Sequence, residues 1–210
     1  MKLANGVARR TPGSKSVVSK TDAVALMIVS AAVVVVTTTM TVSGITAYFT
    51  GPVTLTLPLA TTRWTSDGLR LGAEAHFTSV EATIPALPAS EAALLAWAGA
   101  LNHLGLLAVL ALLFMLAFRL KGENLFSAGS VSTVGTCGAV LGVAGSAGQV
   151  LDQVARGRLT EAIGVNGAEE GMVFIGHFNF VPVVAGVVLT LVAGVFQFGG
   201  RLRKDTEGLV

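Results

Sequence analysis

The sequence predicts an all-α membrane protein: four transmembrane helices in a bundle with a small β-rich extracytoplasmic loop. Three observations carry that prediction. Only 12% of the 210 residues are charged, while 52% are hydrophobic; a soluble domain carries about a quarter charged residues. The mean hydropathy is +0.74, too apolar to solvate a compact globule. Finally, the charges leave four long windows empty. No charge lies between Asp22 and Arg63, and 27, 28 and 30 uncharged residues lie within Glu91–Arg119, Glu123–Asp152 and Glu170–Arg201. A helix crossing the bilayer core needs about 20 predominantly apolar residues. Backbone groups inside lipid must be paired within the segment, so each window is expected to be helical.

The same composition excludes a soluble enzyme, a disordered chain and an ordinary nucleic-acid binder. The isoelectric point near 9.0 reflects a formal net charge of only +2, so the placement of basic residues matters more than their sum. The expected partner is the lipid bilayer, with no direct nucleic-acid contact. A single cysteine, Cys137, excludes an intramolecular disulfide framework and any multi-Cys metal site.

A basic tail over 1–22 precedes the first span, near 23–47. That span is longer than the 7–15-residue core of a signal peptide and no clear small-x-small cleavage site follows, so it is read as retained. Residues 48–91 form an outer loop too long for a hairpin connection. Within it Val53, Leu55 and Leu57 alternate with Thr54 and Thr56, Leu69, Leu71 and Ala73 repeat the pattern, and 77–84 is β-prone. Period-2 alternation between turn signals predicts a small antiparallel element. The second span is placed near 92–118 and the third near 130–151. An acidic, Gly-rich connector with one helical turn of its own follows over about 152–171, then the fourth span near 172–199 and a tail over 201–210.

Basic residues orient the spans. Lys2, Arg9, Arg10, Lys15 and Lys20 precede the first, Arg119 and Lys121 follow the second, and Arg201, Arg203 and Lys204 follow the fourth. The other two loops hold four basic residues against eight acidic ones. The positive-inside rule then predicts a multi-pass protein of the plasma membrane with both termini cytoplasmic.

Polar and small residues within the spans each have two readings. Gly135, Gly138, Gly142 and Ser146 in the third span are spaced to let another backbone approach closely; they pack either within the bundle or against a second copy. Thr37, Thr38, Thr39, Thr41 and Ser43 either bond back to their own helix or line a polar groove. His103 and His177, beside Asn102 and Asn179, are the only ligands that could hold a haem. With no further ligand in the spans, no cofactor is expected, and His103 and Asn179 are assigned instead to an interhelical polar cluster. No acid lies mid-span, and Asp152 at the outer end of the third span is the nearest. That argues against proton-coupled transport and against an intramembrane aspartyl protease. Nucleophile-elbow, zinc and Walker motifs are absent from the sequence, and no enzyme is expected.

Two segments of the cytoplasmic side have a familiar pattern. They are Gly122-Glu123-Asn124-Leu125-Phe126-Ser127 and the closing stretch from Phe196 through Gly199-Gly200-Arg201-Leu202-Arg203-Lys204-Asp205-Thr206-Glu207 to Val210. With the four spans and the long first loop, the chain resembles the bacterial membrane-protein family catalogued as domain of unknown function 2975. The resemblance implies no established activity and suggests a small helix-turn-helix repressor as a partner. The expected role is a non-enzymatic regulatory or signalling protein acting through a cytoplasmic partner. The alternative is a small transport or immunity protein, and a bis-histidine redox protein stands behind both. In the tail, Gly199-Gly200 offers a place to bend, so that Asp205 or Glu207 can pair with Arg119 or Lys121.

Overall fold

The structure, a computed structural model, describes residues 20–61, 78–121, 128–164 and 172–207. Helix α1, Lys20–Thr50, is followed by strands β1, Val53–Thr61, and β2, Ser79–Ile84. Helices α2, Ala89–Lys121, and α3, Ala128–Ala162, lead to strand β3, Met172–Phe174, and helix α4, Val181–Glu207. All four helices are long and apolar enough to cross a membrane.

Local chemistry sets the helix ends. Asp22 in the first turn of α1 suits the positive end of the helix dipole, and Gly51-Pro52 closes the helix because Pro cannot extend it. The carbonyl of Pro88 accepts the Ala92 amide at 3.0 Å to open α2. At the end of α3, Gly164 takes φ 77°, a left-handed turn that glycine adopts without strain. Asn179 Oδ1 accepts the Val181 amide at 3.0 Å, capping α4 three residues ahead of Pro182, whose ring favours a first turn.

The strands form one antiparallel sheet in the order β2-β1-β3. Val53 pairs with Ile84 and Pro58 with Ser79; farther along β1, Leu59 pairs with Phe174 and Thr61 with Met172. The alternation read from sequence holds. Val53, Leu55 and Leu57 are buried, Thr54 and Thr56 are exposed, and the Thr54 and Thr83 hydroxyls lie 3.0 Å apart on the open face. The third repeat expected at Leu69, Leu71 and Ala73 lies outside the described residues. The buried face of β1 packs on Leu95 of α2 and on Ala155 and Leu159 of α3. A second core at the opposite end joins Leu112, Val134 and Ala193 of α2, α3 and α4.

Three expectations need correction. The connector after the third span is not a loop from residue 152, because α3 continues to Ala162. Charges at Asp152, Arg156, Arg158 and Glu161 end the apolar window without ending the helix; side chains of this kind are good or tolerated helix formers. The fourth helix starts at Val181 rather than near 172. Residues Met172–Phe174 instead add a strand beside the far half of β1, and Asn179 with Pro182 marks the true start. The bundle is also open. Among the described residues extensive packing joins α1 to α2, α2 to α3 and α3 to α4, with no comparable interface between α1 and α4. The helices therefore form a layer with α1 and α4 at its edges, both edges studded with exposed Val and Leu side chains.

Candidate functional site

Polar side chains meet across the face between α1 and α2. Gly44 and Gly99 contribute no side chain there. A cleft of about 330 Å³ opens beside them, lined also by Thr41, Tyr48, Asn102 and His103. Thr38 Oγ1 and His103 Nε2 lie 3.0 Å apart across the two helices. Two turns farther along, the buried Ser30 hydroxyl donates to the Leu110 carbonyl at 3.1 Å. His103 thus meets Thr38 rather than Asn179 or His177. His177 sits in the link between β3 and α4, its Nδ1 3.2 Å from the Ile175 carbonyl. Among the described residues no three potential metal ligands converge. Thr37 and Thr39 bond back to Val33 and Val35 at 2.8 and 2.9 Å, as helical threonines in an apolar setting do.

The glycines of α3 are used inside the molecule. A Cβ on Gly138 would lie 2.8 Å from the Gly186 carbonyl oxygen of α4, and one on Gly186 would lie 2.7 Å from the Gly138 oxygen and 3.0 Å from Gly142 Cα. Gly135 faces Ala193, Gly145 faces Pro182, and on the other side of α3 Gly148 faces Ala98 and Asn102 of α2. The Ser146 hydroxyl returns to the Gly142 carbonyl at 2.6 Å. The small-residue face is therefore covered by α4, which takes the place that a second copy would need.

Three polar side chains spaced one helical turn apart on α3 fasten the sheet end. Gln149 donates to the Asn179 carbonyl at 3.0 Å and accepts the Asn179 amide at 2.7 Å, clipping the chain ahead of α4 to α3. Gln153 donates to the His177 carbonyl at 3.3 Å. Its Oε1 is buried with no hydrogen-bond partner among the described residues. Arg156 pairs with Asp152 through Nε at 2.7 Å and donates from Nη1 to the Thr56 carbonyl of β1 at 2.8 Å. Asp152, expected at a helix end, thus lies inside α3 and aims an arginine at the sheet. The pair is only partly exposed, so its charge-assisted bond to backbone is worth more than a surface ion pair. Arg156→Gln is expected to weaken the sheet's attachment by about 1–2 kcal/mol, seen as faster amide exchange in β1 with α4 unchanged. Equal exchange in both proteins would show that the arginine is dispensable.

At the opposite end Arg119 is half-buried, with its Nη2 2.9 Å from where a Gly129 Cβ would stand, and Arg201 is exposed. The side chains of Lys121, Arg203, Lys204, Asp205 and Glu207 lie outside the described residues, as does the 122–127 motif, and so does the expected pairing of the tail with Arg119 or Lys121. Helix α4 runs through Gly199-Gly200 to Glu207; the glycine pair does not end it.

Sequence reading missed the Gln149, Gln153 and Arg156 series. The signal was present as three long polar side chains at i, i+4 and i+7, but it fell across the assumed boundary between span and connector. Comparison with known proteins found no matching family model, no matching curated protein and no matching solved structure.

Proposed function

We propose that the chain is a multi-pass protein of a bacterial plasma membrane that acts without catalysis, relaying the state of an outer β-sheet to a basic cytoplasmic end. Helix dimensions support the membrane setting. Exposed Trp97 and Phe118 on α2 are 21 residues apart, which is about 32 Å at the α-helical rise and close to the roughly 30 Å hydrocarbon core. Phe180, just ahead of α4, and Arg201 on it are also 21 residues apart. Aromatic rings at the ends of spans suit the membrane–water interfaces, and arginines suit the cytoplasmic one.

The relay rests on one observation: α3 is continuous from the sheet to the basic end. At one end it holds β1 through Ala155, Leu159 and Arg156; below, it is locked to α4 through Gly138, Gly142 and Gly186. A rigid element packed at both ends carries a displacement from one to the other. Among the described residues the groove along the α3–α4 seam is lined by glycine and aliphatic side chains, with Thr190 bonded back to its own helix, which favours the relay over transport between those helices. The partner to test first at the cytoplasmic end is the repressor class that the family resemblance suggests.

Orientation is tested with a reporter enzyme active only in the cytoplasm. Fused after Val210 it is expected to be active, and inserted near Asp67 it is expected to be silent; activity at Asp67 reverses the topology. The relay is tested in a Cys137→Ser background carrying Gly122→Cys. Adding Arg156→Gln is expected to change the rate at which a membrane-impermeant maleimide modifies that thiol in inverted vesicles. An unchanged rate removes the relay.

A further inference from the structure

Where α4 covers the glycines of α3, the finished pair leaves a shallow groove of about 280 Å³ along its surface. Ala139 and Val143 of α3 stand on one side of it and Val187 and Thr190 of α4 on the other, with Gly138 and Gly186 between them. A helical position recurs on the same side after seven residues, two turns on. Ser132 and Thr136 precede Ala139 and Val143 by seven, and Gln197 follows Thr190 by seven, so three polar side chains flank the cytoplasmic end of the groove. All three are exposed and have no hydrogen-bond partner among the described residues. Thr133 and Thr190 bond back to their own helices at 2.7 and 2.9 Å; Thr136 does not.

On the membrane reading, on which this inference rests, these groups stand in hydrocarbon. Gln197 is four residues, about 6 Å, inward of Arg201. Helical side chains lean toward the N-terminus, which for α4 is toward the bilayer centre. Lipid chains offer a carboxamide no partner, and an unpaired polar group there is costly. The register of the seam says what can pair it. Gly135 faces Ala193, Gly142 faces Gly186 and Gly145 faces Pro182; one turn past Gly135, Gln197 is level with Val131 and Ser132. Gln197 therefore shares the depth of the α3 hydroxyls but sits on the neighbouring helix. A two-fold axis along the membrane normal, passing through the groove, sets α4 of one copy over α3 of the other. Copies inserted in the same direction keep every residue at its own depth, so Gln197 meets Ser132 and Thr136 of the second copy, twice over. A carboxamide both donates and accepts, as a hydroxyl does. The same rotation sets Val143, 72% exposed, between Val183 and Val187 of the other copy, where the glycines leave room for a close approach. An unrelated helix would need matching polar groups by coincidence; a second copy supplies them by symmetry. We propose that this surface joins two copies of the chain in a parallel, two-fold dimer. The second copy covers the finished α3–α4 pair and does not displace α4.

The test uses the full chain in native membranes, in a Cys137→Ser background. One tagged copy carries Val143→Cys and a differently tagged copy carries Val187→Cys; oxidation is expected to join the two in a mixed disulfide. Val29→Cys on α1, at a position 58% exposed, is expected to give none with the same Val187→Cys copy. Gln197→Leu removes both polar pairs and is expected to weaken association about tenfold, read as loss of the crosslink when the membranes are fused with excess lipid vesicles. Ala139→Leu fills the groove from an exposed position and is expected to abolish the mixed disulfide. Equal crosslinking from Val29→Cys, unchanged association in Gln197→Leu or full crosslinking in Ala139→Leu would overturn the dimer. So would a crosslink to a different membrane protein in place of the tagged copy. Recovery of the chain in carbonate-washed membranes, scored separately, reports on the membrane reading alone: a chain that is retained there but does not crosslink defeats the dimer only.

Discussion

Gly186→Leu is expected to lower the melting temperature of the detergent-solubilised protein by about 10 °C, while Gly194→Leu, two turns along the same helix, leaves it within a degree or two. At Gly186 the first added carbon would lie 2.7 Å from a carbonyl oxygen and 3.0 Å from Gly142 Cα and N. All three atoms are backbone, so no rotamer change relieves the contact and α3 and α4 must separate. Overpacking alone costs about 1–3 kcal/mol; losing the close seam along Gly138 and Gly142 brings the total to about 3 kcal/mol or more. For a chain of this size 1 kcal/mol corresponds to about 2–4 °C. At Gly194 nothing lies within 4 Å. A dye-free thermal scan of both variants decides it, and equal melting temperatures would mean that the seam does not hold the helices together.

Leu57→Ala is expected to release the sheet without melting the helix layer. Leu57 is 0% exposed and lies among Leu55, Leu95, Ala155 and Leu159. Removing its branched end costs about 3 kcal/mol in lost burial and cavity. The loss is confined to the unit formed by the sheet, the start of α2 and the last turns of α3. Because local opening sets exchange rates, β1 and β2 amides are expected to exchange about a hundredfold faster, with α3 and α4 near Gly138 and Gly186 unaffected. A uniform increase across all helices would instead mean that sheet and helices unfold as one.

The parts of this fold that are legible from residues are those governed by a single period or a single composition. Val53, Leu55 and Leu57 announce a strand because alternate positions face one core. Four charge-free windows announce four helices because only apolar helices that long tolerate such surroundings. What could not be read depends on neighbours distant in sequence. Met172–Phe174 has no strand signature of its own and becomes β3 because Leu59–Thr61 offers an open edge. His103 and Thr38 are 65 positions apart, and nothing in either helix marks the other as its partner. The α3 glycines did indicate close packing by their spacing, but only Gly186 on α4 shows with which helix. The clip made by Gln149, Gln153 and Arg156 was obscured for another reason: an apolar window measures the thickness of a bilayer, not the length of a helix.

The pairing of Leu59–Thr61 with Met172–Phe174 also bears on biosynthesis. Ribosomes release the chain from its N-terminus, so β1 and β2 emerge long before β3. More than 100 residues separate Thr61 from Met172, including all of α2 and α3. Throughout that interval the far half of β1 lacks its neighbour, and an unpaired strand edge is open to any other extended chain nearby. Pro58 lacks an amide proton, so until Ile175 takes its carbonyl it can offer a stray strand an acceptor but no donor. Final closure of the sheet must then await the synthesis of α3 and the arrival of the segment leading into α4. The order of translation therefore makes the sheet the last part of the molecule to mature, although its first strand is among the earliest segments made.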